Sequence, residues 1–347
     1  MTDLIETPDR LRFDEAALAR YMTAHVEGFE GPLEVSKFAG GESNPTYRLK
    51  TPSRTYVLRR KPPGKLLPSA HAVDREYRVM SALGPTGFPV PKTYALCEDE
   101  DVIGTAFFVM EFAQGHVVWD KTFAEVPEDR RRPMFEAAAR TLARLHAVDP
   151  QAVGLGDYGK TTGYFARQIA RWTKQYDAAE TEEIPSMERL KAWLPDAVPE
   201  GDETSIVHGD YKIDNLVLSD DYGDVRAVLD WELSTLGNPL ADLSYFLMIW
   251  GLPQASGFGI ADIDFRAMNI PTMEEIQAVY GEESGRSGLP DLEFCMAYNM
   301  FRMAGIVQGV YKRALMGNAS SEKAKFYGER VPVLADAGWD WAKKAGA

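Results

Sequence analysis

Apolar positions change their period along this chain, and the change divides it. Behind Asp14, a natural N-cap, Leu18, Tyr21, Met22, Val26 and Phe29 recur at helical spacing and predict an amphipathic helix. Three strand-like runs follow, "LEVSKF", "TYRLK" and "TYVLRR", with "GGESNP" and "TPSR" as the turns between them. The period returns to helical from Ala72 to Leu83, with Gly84 as a stop signal. "TAFFVMEF" is almost wholly apolar, as a buried strand would be, and it runs into the polar connection "AQGH".

Beyond that connection helical patterns dominate, at Arg131 to Val148, Tyr164 to Tyr176, Leu240 to Trp250 and Phe294 to Leu315. A hairpin, "NLVLSDDYGDVRAVLD", is the main β-element of this second half. The expected fold class is α+β. A small lobe built on an antiparallel sheet occupies residues 1–112, a hinge lies near Met110 to Gly115, and a larger, mainly helical lobe occupies residues 113–347.

Composition narrows the function. A chain of 347 residues with 45% hydrophobic and 26% charged residues is that of a globular protein with a substantial core. A formal net charge of −14 disfavours nucleic acid as a partner. Cys97 and Cys295 are too few for a disulfide framework or a cysteine-rich zinc site. The five histidines, His25, His71, His116, His146 and His208, have no metal-ligand spacing, which counts against a metal-dependent hydrolase. The start, "MTDLIETPDR", has no secretory pattern, and the apolar run around "LSYFLMIWGL" is too short to span a bilayer. The expectation is a cytoplasmic protein without a membrane partner; its oligomeric state is open.

Chemistry concentrates in "HGDYKIDNLVLSDDYGDVRAVLDWE", residues 208–232. If Leu218 pairs with Val225, Asn215 stands opposite Val228, and Asp230 is its diagonal neighbour on the same face. Asp210, in the loop feeding the first strand, can reach the same space. Such converging oxygen donors suit a hard cation. Each of these residues alone would read as a turn residue bonded to local backbone. Their joint spacing, H-x-D-x-x-x-x-N followed by a strand pair ending in Asp, is what favours chemistry.

This segment resembles the catalytic loop and metal-binding segment of protein-kinase-like phosphotransferases, in the aminoglycoside phosphotransferase and choline kinase group. "HGDYKIDN" and "LDWE" stand where kinases carry H-R-D-x-x-x-x-N and D-F-G. The resemblance implies a two-lobed kinase-like fold, Asp210 as acceptor of the substrate hydroxyl proton, His208 as support for the loop, and Asn215 and Asp230 as Mg²⁺ ligands. Whether Glu232 faces the site is open. No G-x-x-x-x-G-K-[ST] stretch occurs, which excludes a P-loop enzyme.

In "YVLRR", Val57 and Arg59 share a face, and Arg59 takes the position of the phosphate-binding lysine of V-A-I-K, with Lys61 on the same face. Arginine departs from the kinase pattern, although its fork suits phosphate oxygens. The predicted helix at Ala72–Leu83 carries Glu76 inside the apolar stripe Val73, Tyr77, Met80 and Leu83. A carboxylate there needs a partner, and Arg59 is the natural one. "AGGESNPTY" reads as an ordinary hairpin turn on its own. Within the resemblance, its Gly40, Gly41, Ser43, Asn44 and Thr46 form a nucleotide-covering loop, and backbone near Glu111 meets the adenine.

The substrate is less legible. On "GYFARQIARWTKQY", Arg167, Arg171 and Lys174 lie opposite the apolar face, as a solvated basic face or as an anion-binding stripe. Arg302 falls on a close-packing face with Tyr298, where a buried guanidinium needs an anionic partner from the protein or a ligand. Asp242 reads equally as a helix-start acid or, through the resemblance, as the tie between catalytic loop and helix. His146 reads as a satisfied core histidine. No long activation segment follows "LDWE", which speaks against a protein substrate.

Most of the chain, from "GGESNPTYRL" to "YGERVPVLADAGW", is similar to the kinase-like domain fused to some acyl-CoA dehydrogenases. That similarity implies an ATP- and Mg²⁺-dependent O-phosphotransferase, with GTP open as donor, acting on the hydroxyl of a small anionic hydroxy acid or hydroxyacyl-CoA. A true aminoglycoside kinase and a non-catalytic nucleotide-binding regulatory module are the rival readings.

Overall fold

The computed structural model describes residues 4–39, 43–64, 71–317 and 326–347, so the Gly40–Gly41 turn lies outside the described residues. The chain forms two compact units. The first comprises Met1–Trp119, Val153–Leu155 and Ile213–Ser234; the second comprises Asp120–Ala152, Gly156–Lys212 and Thr235–Ala347.

The first unit is built on an antiparallel sheet. Its strands are β1 (Leu4–Ile5), β2 (Glu34–Phe38), β3 (Thr46–Lys50), β4 (Thr55–Arg60), β5 (Thr93–Cys97) and β6 (Phe107–Glu111), in the order β1-β2-β3-β4-β6-β5. Side chains alternate faces along each strand. Tyr47, Leu49, Tyr56, Leu58, Phe107 and Val109 bury one face against Leu18 and Met22 of helix α1 (Glu15–His25). Asp14 caps α1 as expected, its Oδ1 accepting from the Ala17 amide at 2.9 Å. Val57, Arg59, Phe108 and Met110 fall on the other face and line a cavity.

Helix α2 (Val73–Leu83) stops at the predicted place by tightening rather than by a left-handed cap. Gly84 enters a 3₁₀ turn with φ −51°, and the positive φ comes at Gly87. Val73, Val79, Met80 and Leu83 bury the inner face of α2, and Glu76 sits among them.

The hairpin of β8 (Leu216–Leu218) and β9 (Val225–Val228) completes this unit. Leu218 pairs with Val225 as expected, but Leu216, not Asn215, stands opposite Val228. The register shifts at a bulge between Val217 and Leu218, which inserts Arg226 as an extra residue on the partner strand. Asn215 therefore lies just beyond the ladder, its carbonyl accepting from the Leu229 amide at 2.8 Å. Gly115 lies over this hairpin with φ +152°, where a Cβ would come within 2.2 Å of the Leu218 carbonyl oxygen. That approach allows His116 and Leu218 to exchange backbone hydrogen bonds of 2.9 and 2.8 Å.

The second unit is mainly helical: α3 (Glu128–Ala147), α4 (Tyr164–Ala179), α5 (Pro185–Trp193), α6 (Pro239–Leu247), α7 (Met273–Ser284), α8 (Leu292–Leu315) and α9 (Arg330–Lys344). Strands β7 (Ser205–Val207) and β10 (Thr235–Gly237) pair antiparallel, Val207 opposite Thr235. This short ladder matters for the chemistry, because β7 leads into His208 and β10 leads into α6. Gly237 has to be small, since a Cβ there would come within 2.5 Å of the Tyr164 ring. Asn238 caps α6 through the Leu240 amide at 2.9 Å, with Pro239 in the first turn. Every residue of α6 is buried, so its polar side chains must find partners inside.

Candidate functional site

In the first unit a cavity of about 300 Å³ gathers most of the residues singled out from the sequence. Val57, Phe108, Met110, Val217 and Leu229 give it apolar walls, and Ser43, Asn44, Thr46, Arg59, Glu76, Asn215 and Asp230 bring polar groups to it. Phe38 and Phe112 lie with ring planes 5° from parallel and centroids 6.4 Å apart. Glu111 lines the cavity, but its amide donates to the Lys92 carbonyl at 2.8 Å and its carboxylate accepts from the Lys92 amide at 3.3 Å. The chain next lines the cavity with Phe112 and Ala113.

Arg59 organises the polar end. Its Nε lies 2.9 Å from Glu76 Oε2, and its Nη2 lies 2.5 Å from Asp230 Oδ1 and 3.5 Å from Glu232 Oε2. Glu76 Oε1 also accepts from Asn44 Nδ2 at 2.9 Å, and Asn44 Oδ1 lies 3.1 Å from His71 Nδ1. The partner of Glu76 was therefore legible from its place in an apolar stripe. Glu232, left open by the sequence, does turn toward this cluster.

Three carboxylates around one guanidinium leave a surplus of negative charge. Burial opposes the charge of Arg59, yet Glu76, Asp230 and Glu232 together hold its pKa above the ordinary arginine value. Glu76 moves the other way. Burial drives its carboxyl up to about 7 against the attraction of Arg59, with Asp230 and Glu232 adding repulsion.

Asp230 sits at φ +64°, a left-handed conformation uncommon for a residue with a side chain. It lies two residues beyond the end of β9, and this turn of the backbone brings its carboxylate to the cavity and Arg59. Asn215, at the end of the opposite arm of the hairpin, lines the same cavity.

A second cluster belongs to the helical unit. Asp210 Oδ1 accepts from the Tyr245 hydroxyl at 2.6 Å, and its Oδ2 lies 3.2 Å from Lys212 Nζ. Its amide donates to His208 Nδ1 at 3.2 Å, and His208 is fully buried. Asp242 takes the backbone of the loop, with Oδ2 accepting from the His208 amide at 2.5 Å and Oδ1 from the Gly209 amide at 2.8 Å. Of the two readings of Asp242, the geometry thus selects the tie between loop and helix.

His146 supports that tie. A carboxylate can only accept, so His146 Nε2 carries a proton toward Asp242 at 3.4 Å, and its Nδ1 lies 2.7 Å from the Tyr280 hydroxyl. Burial pushes the Asp242 carboxyl up, but His146, His208 and the Gly209 amide outweigh it and hold its pKa below the usual range.

Arg302 is buried as expected, and Asp210 is the carboxylate among the groups that raise its pKa. Its Nη2 donates to the Gly209 carbonyl at 2.7 Å, and the guanidinium lies over the Tyr245 ring at 5.0 Å and the Trp172 ring at 5.7 Å. Arg167 donates to the Lys160 carbonyl at 3.1 Å, and Arg171 lies over the Trp172 ring at 5.5 Å. Tyr245 and Lys212 escaped the sequence reading. Tyr245 belongs to a run that is apolar throughout, and Lys212 was passed over between Asp210 and Asn215.

The sequence profile of the phosphotransferase enzyme family, APH, matches residues 34–277. The chain belongs to that family. It is a family of phosphotransferase enzymes. A structure from Ralstonia eutropha JMP134, provisionally described as an aminoglycoside phosphotransferase, is 49% identical, with TM-score 0.88 over 96% of this chain and 99% of that one. A thermostable mutant of aminoglycoside phosphotransferase APH(4)-Ia, in ternary complex with ADP and hygromycin B, shares the fold at 15% identity, with TM-score 0.60 over 94% of this chain and 98% of its own. The α+β kinase-like fold expected from the sequence is the one found.

Mouse acyl-CoA dehydrogenase family member 10 is 45% identical over 318 residues, covering 91% of this chain. The chain spans 30% of that protein's length. Among the described residues no helix is long and apolar enough to cross a membrane.

Proposed function

We propose that this phosphotransferase moves the terminal phosphoryl group of Mg²⁺-ATP to a hydroxyl of a small anionic molecule, a hydroxy acid or hydroxyacyl-CoA. The observation that carries the reading is Arg59, held by buried Glu76 and facing Asp230 in a cavity with apolar walls. A guanidinium so tethered can bind phosphate oxygens while the apolar walls take the base. Ser43, Asn44 and Thr46 offer further donors to the phosphates, and the chain near Glu111 offers backbone groups to the adenine.

Asn215 and Asp230 fit Mg²⁺, which prefers oxygen donors and is commonly held by one or two carboxylates together with nucleotide phosphates. With a nucleotide bound, its phosphate oxygens would add to the donors that Asn215 and Asp230 offer. The bound ion supplies neutralisation of charge on the transferred group. Asp210 accepts the hydroxyl proton, with His208 behind its loop. Catalysis then rests on orientation and charge placement.

The acceptor class is favoured by the name of the mouse relative and by the basic residues Arg167 and Arg171. The Ralstonia relative favours an aminoglycoside as the second reading. The test is Mg²⁺-dependent ADP release, with ATP and GTP compared as donors. Hydroxy acids, hydroxyacyl-CoAs, aminoglycosides and choline would be added separately, with Asp210→Asn as control. Turnover confined to the anionic acceptors and lost in the control is the expected result. Turnover with aminoglycosides alone would overturn the acceptor class, and nucleotide binding without any turnover would return the binding-module reading.

A further inference from the structure

Arg302 poses an energetic question. A buried guanidinium costs stability unless it is paired, yet among the described residues no carboxylate forms an ion pair with Arg302. Its contacts are the Gly209 carbonyl and the faces of Tyr245 and Trp172. Both the carbonyl and Tyr245 lead to Asp210.

Gly209 turns at φ +83°, so its two backbone groups face different partners. The amide goes to Asp242 on α6, and the carbonyl goes to Arg302 on α8. The loop is thereby gripped from two helices, which are themselves joined by Asn299 Nδ2 donating to the Ala241 carbonyl and the Ser244 hydroxyl at 2.7 Å each. Tyr245, on the same turn of α6, donates its hydroxyl to Asp210 Oδ1 at 2.6 Å while Arg302 covers its ring.

We propose that Arg302 and Tyr245 are a positioning pair for Asp210, in which Arg302 fixes the loop backbone and the tyrosine ring, and the Tyr245 hydroxyl fixes the rotation of the carboxylate. This rests on the reading of Asp210 as the proton acceptor. The pair acts on orientation alone and takes no proton. A carboxylate rotated by one side-chain well presents its lone pairs elsewhere, and misplacement of that size costs up to about a hundredfold in rate.

The test compares wild type with Tyr245→Phe, Arg302→Lys, Arg302→Met and Asp210→Asn. ADP release from Mg²⁺-ATP is followed with water as the sole acceptor, alongside KM for ATP, melting temperature and amide exchange over residues 208–212. Tyr245→Phe keeps the ring and should lose about ten- to a hundredfold in kcat, with KM for ATP within about twofold and melting unchanged. Arg302→Met should speed exchange at residues 208–212 without loosening α8, and Arg302→Lys should recover part of the protection. A Tyr245→Phe enzyme with wild-type kcat, or one that loses kcat, ATP affinity and stability together, overturns the pair. So does unchanged exchange in Arg302→Met, a measurement that needs no turnover. If Asp210→Asn keeps full activity, the proton-acceptor reading itself falls, and the pair falls with it. Loss in Asp210→Asn beside full activity in Tyr245→Phe removes the pair and leaves the reading intact.

Discussion

Replacing Glu76 with glutamine should make the apoprotein more stable and the enzyme worse. Glu76 is 1% exposed, and its carboxyl titrates at about 7 rather than at the ordinary 4.5. Because the folded pKa is raised, the folded state holds a proton that the unfolded chain has already released. Wild-type stability therefore falls as pH rises from 4.5 to 7 and levels off above it. The shift corresponds to a loss of about 3 kcal/mol at pH 8.

Glutamine fixes the neutral form. After allowance for its amide group, which needs an acceptor, a gain of about 1–3 kcal/mol should remain at pH 8, or a few degrees in melting temperature. At pH 5 the two proteins should differ by less than about 1 kcal/mol. Arg59, meanwhile, loses the anchor 2.9 Å from its Nε and keeps Asp230 at 2.5 Å from its Nη2. It then leans on Asp230, the carboxylate proposed for Mg²⁺, and kcat/KM for ATP should drop about a hundredfold. Thermal melts of the apoprotein at pH 5 and 8, beside steady-state kinetics, measure both effects. A Glu76→Gln protein that melts several degrees below wild type at pH 8 would refute the reasoning, because the ion pair would then stabilise more than its burial costs.

Three further outcomes are expected. Asp210→Asn should lower kcat by about a thousandfold while Mg²⁺-ATP affinity, read by titration calorimetry, stays within about threefold, since the proposal gives Asp210 the acceptor hydroxyl and gives Mg²⁺ to Asn215 and Asp230. Asp242→Asn should destabilise by about 3 kcal/mol at pH 7, because two amides lose a charged acceptor. The Asp242 pKa is depressed, so its contribution is present above the ordinary 3.8 and vanishes as pH falls through the folded value; the variant and wild type should converge in acid unfolding curves below pH 4. Gly115→Ala should cost more than about 2 kcal/mol and weaken nucleotide binding, because a Cβ 2.2 Å from the Leu218 oxygen forces the hairpin away; an unchanged melting curve would show that the contact relaxes freely.

Local signals were readable and distant ones were not. The alternation of "TYVLRR" put Arg59 and Arg60 on opposite faces, and the structure pairs Arg59 with Glu76 and gives Arg60 to Thr105 and Phe13. Glu76 stood out as an acid in an apolar stripe. The hairpin register went wrong by one residue because a bulge leaves no mark in a run such as "VRAVLD". Helix α7 announces itself by a capping box, Thr272 with Glu275, which was overlooked, and α5 opens on Pro185. The Tyr245–Asp210 bond joins residues 35 apart in sequence through two elements of different period, and no local pattern encodes such a meeting.

The interleaving of the first unit imposes an order in time. The chain leaves that unit at Trp119 and, apart from Val153–Leu155, re-enters it at Ile213 with the hairpin that carries Asn215 and Asp230. During synthesis, at roughly 5–20 residues per second, the strand bearing Arg59 and the helix bearing Glu76 emerge about 8–30 s before their counter-charge at Asp230. Until then Glu76 is the acid that Arg59 has to hand, and the floor of the cavity does not exist. A nascent chain therefore cannot capture a nucleotide early. The cavity is complete before Asp242, Tyr245 and Arg302, which hold the Asp210 loop, have been made, so on the proposed roles the ability to hold a nucleotide would precede the ability to transfer its phosphoryl group.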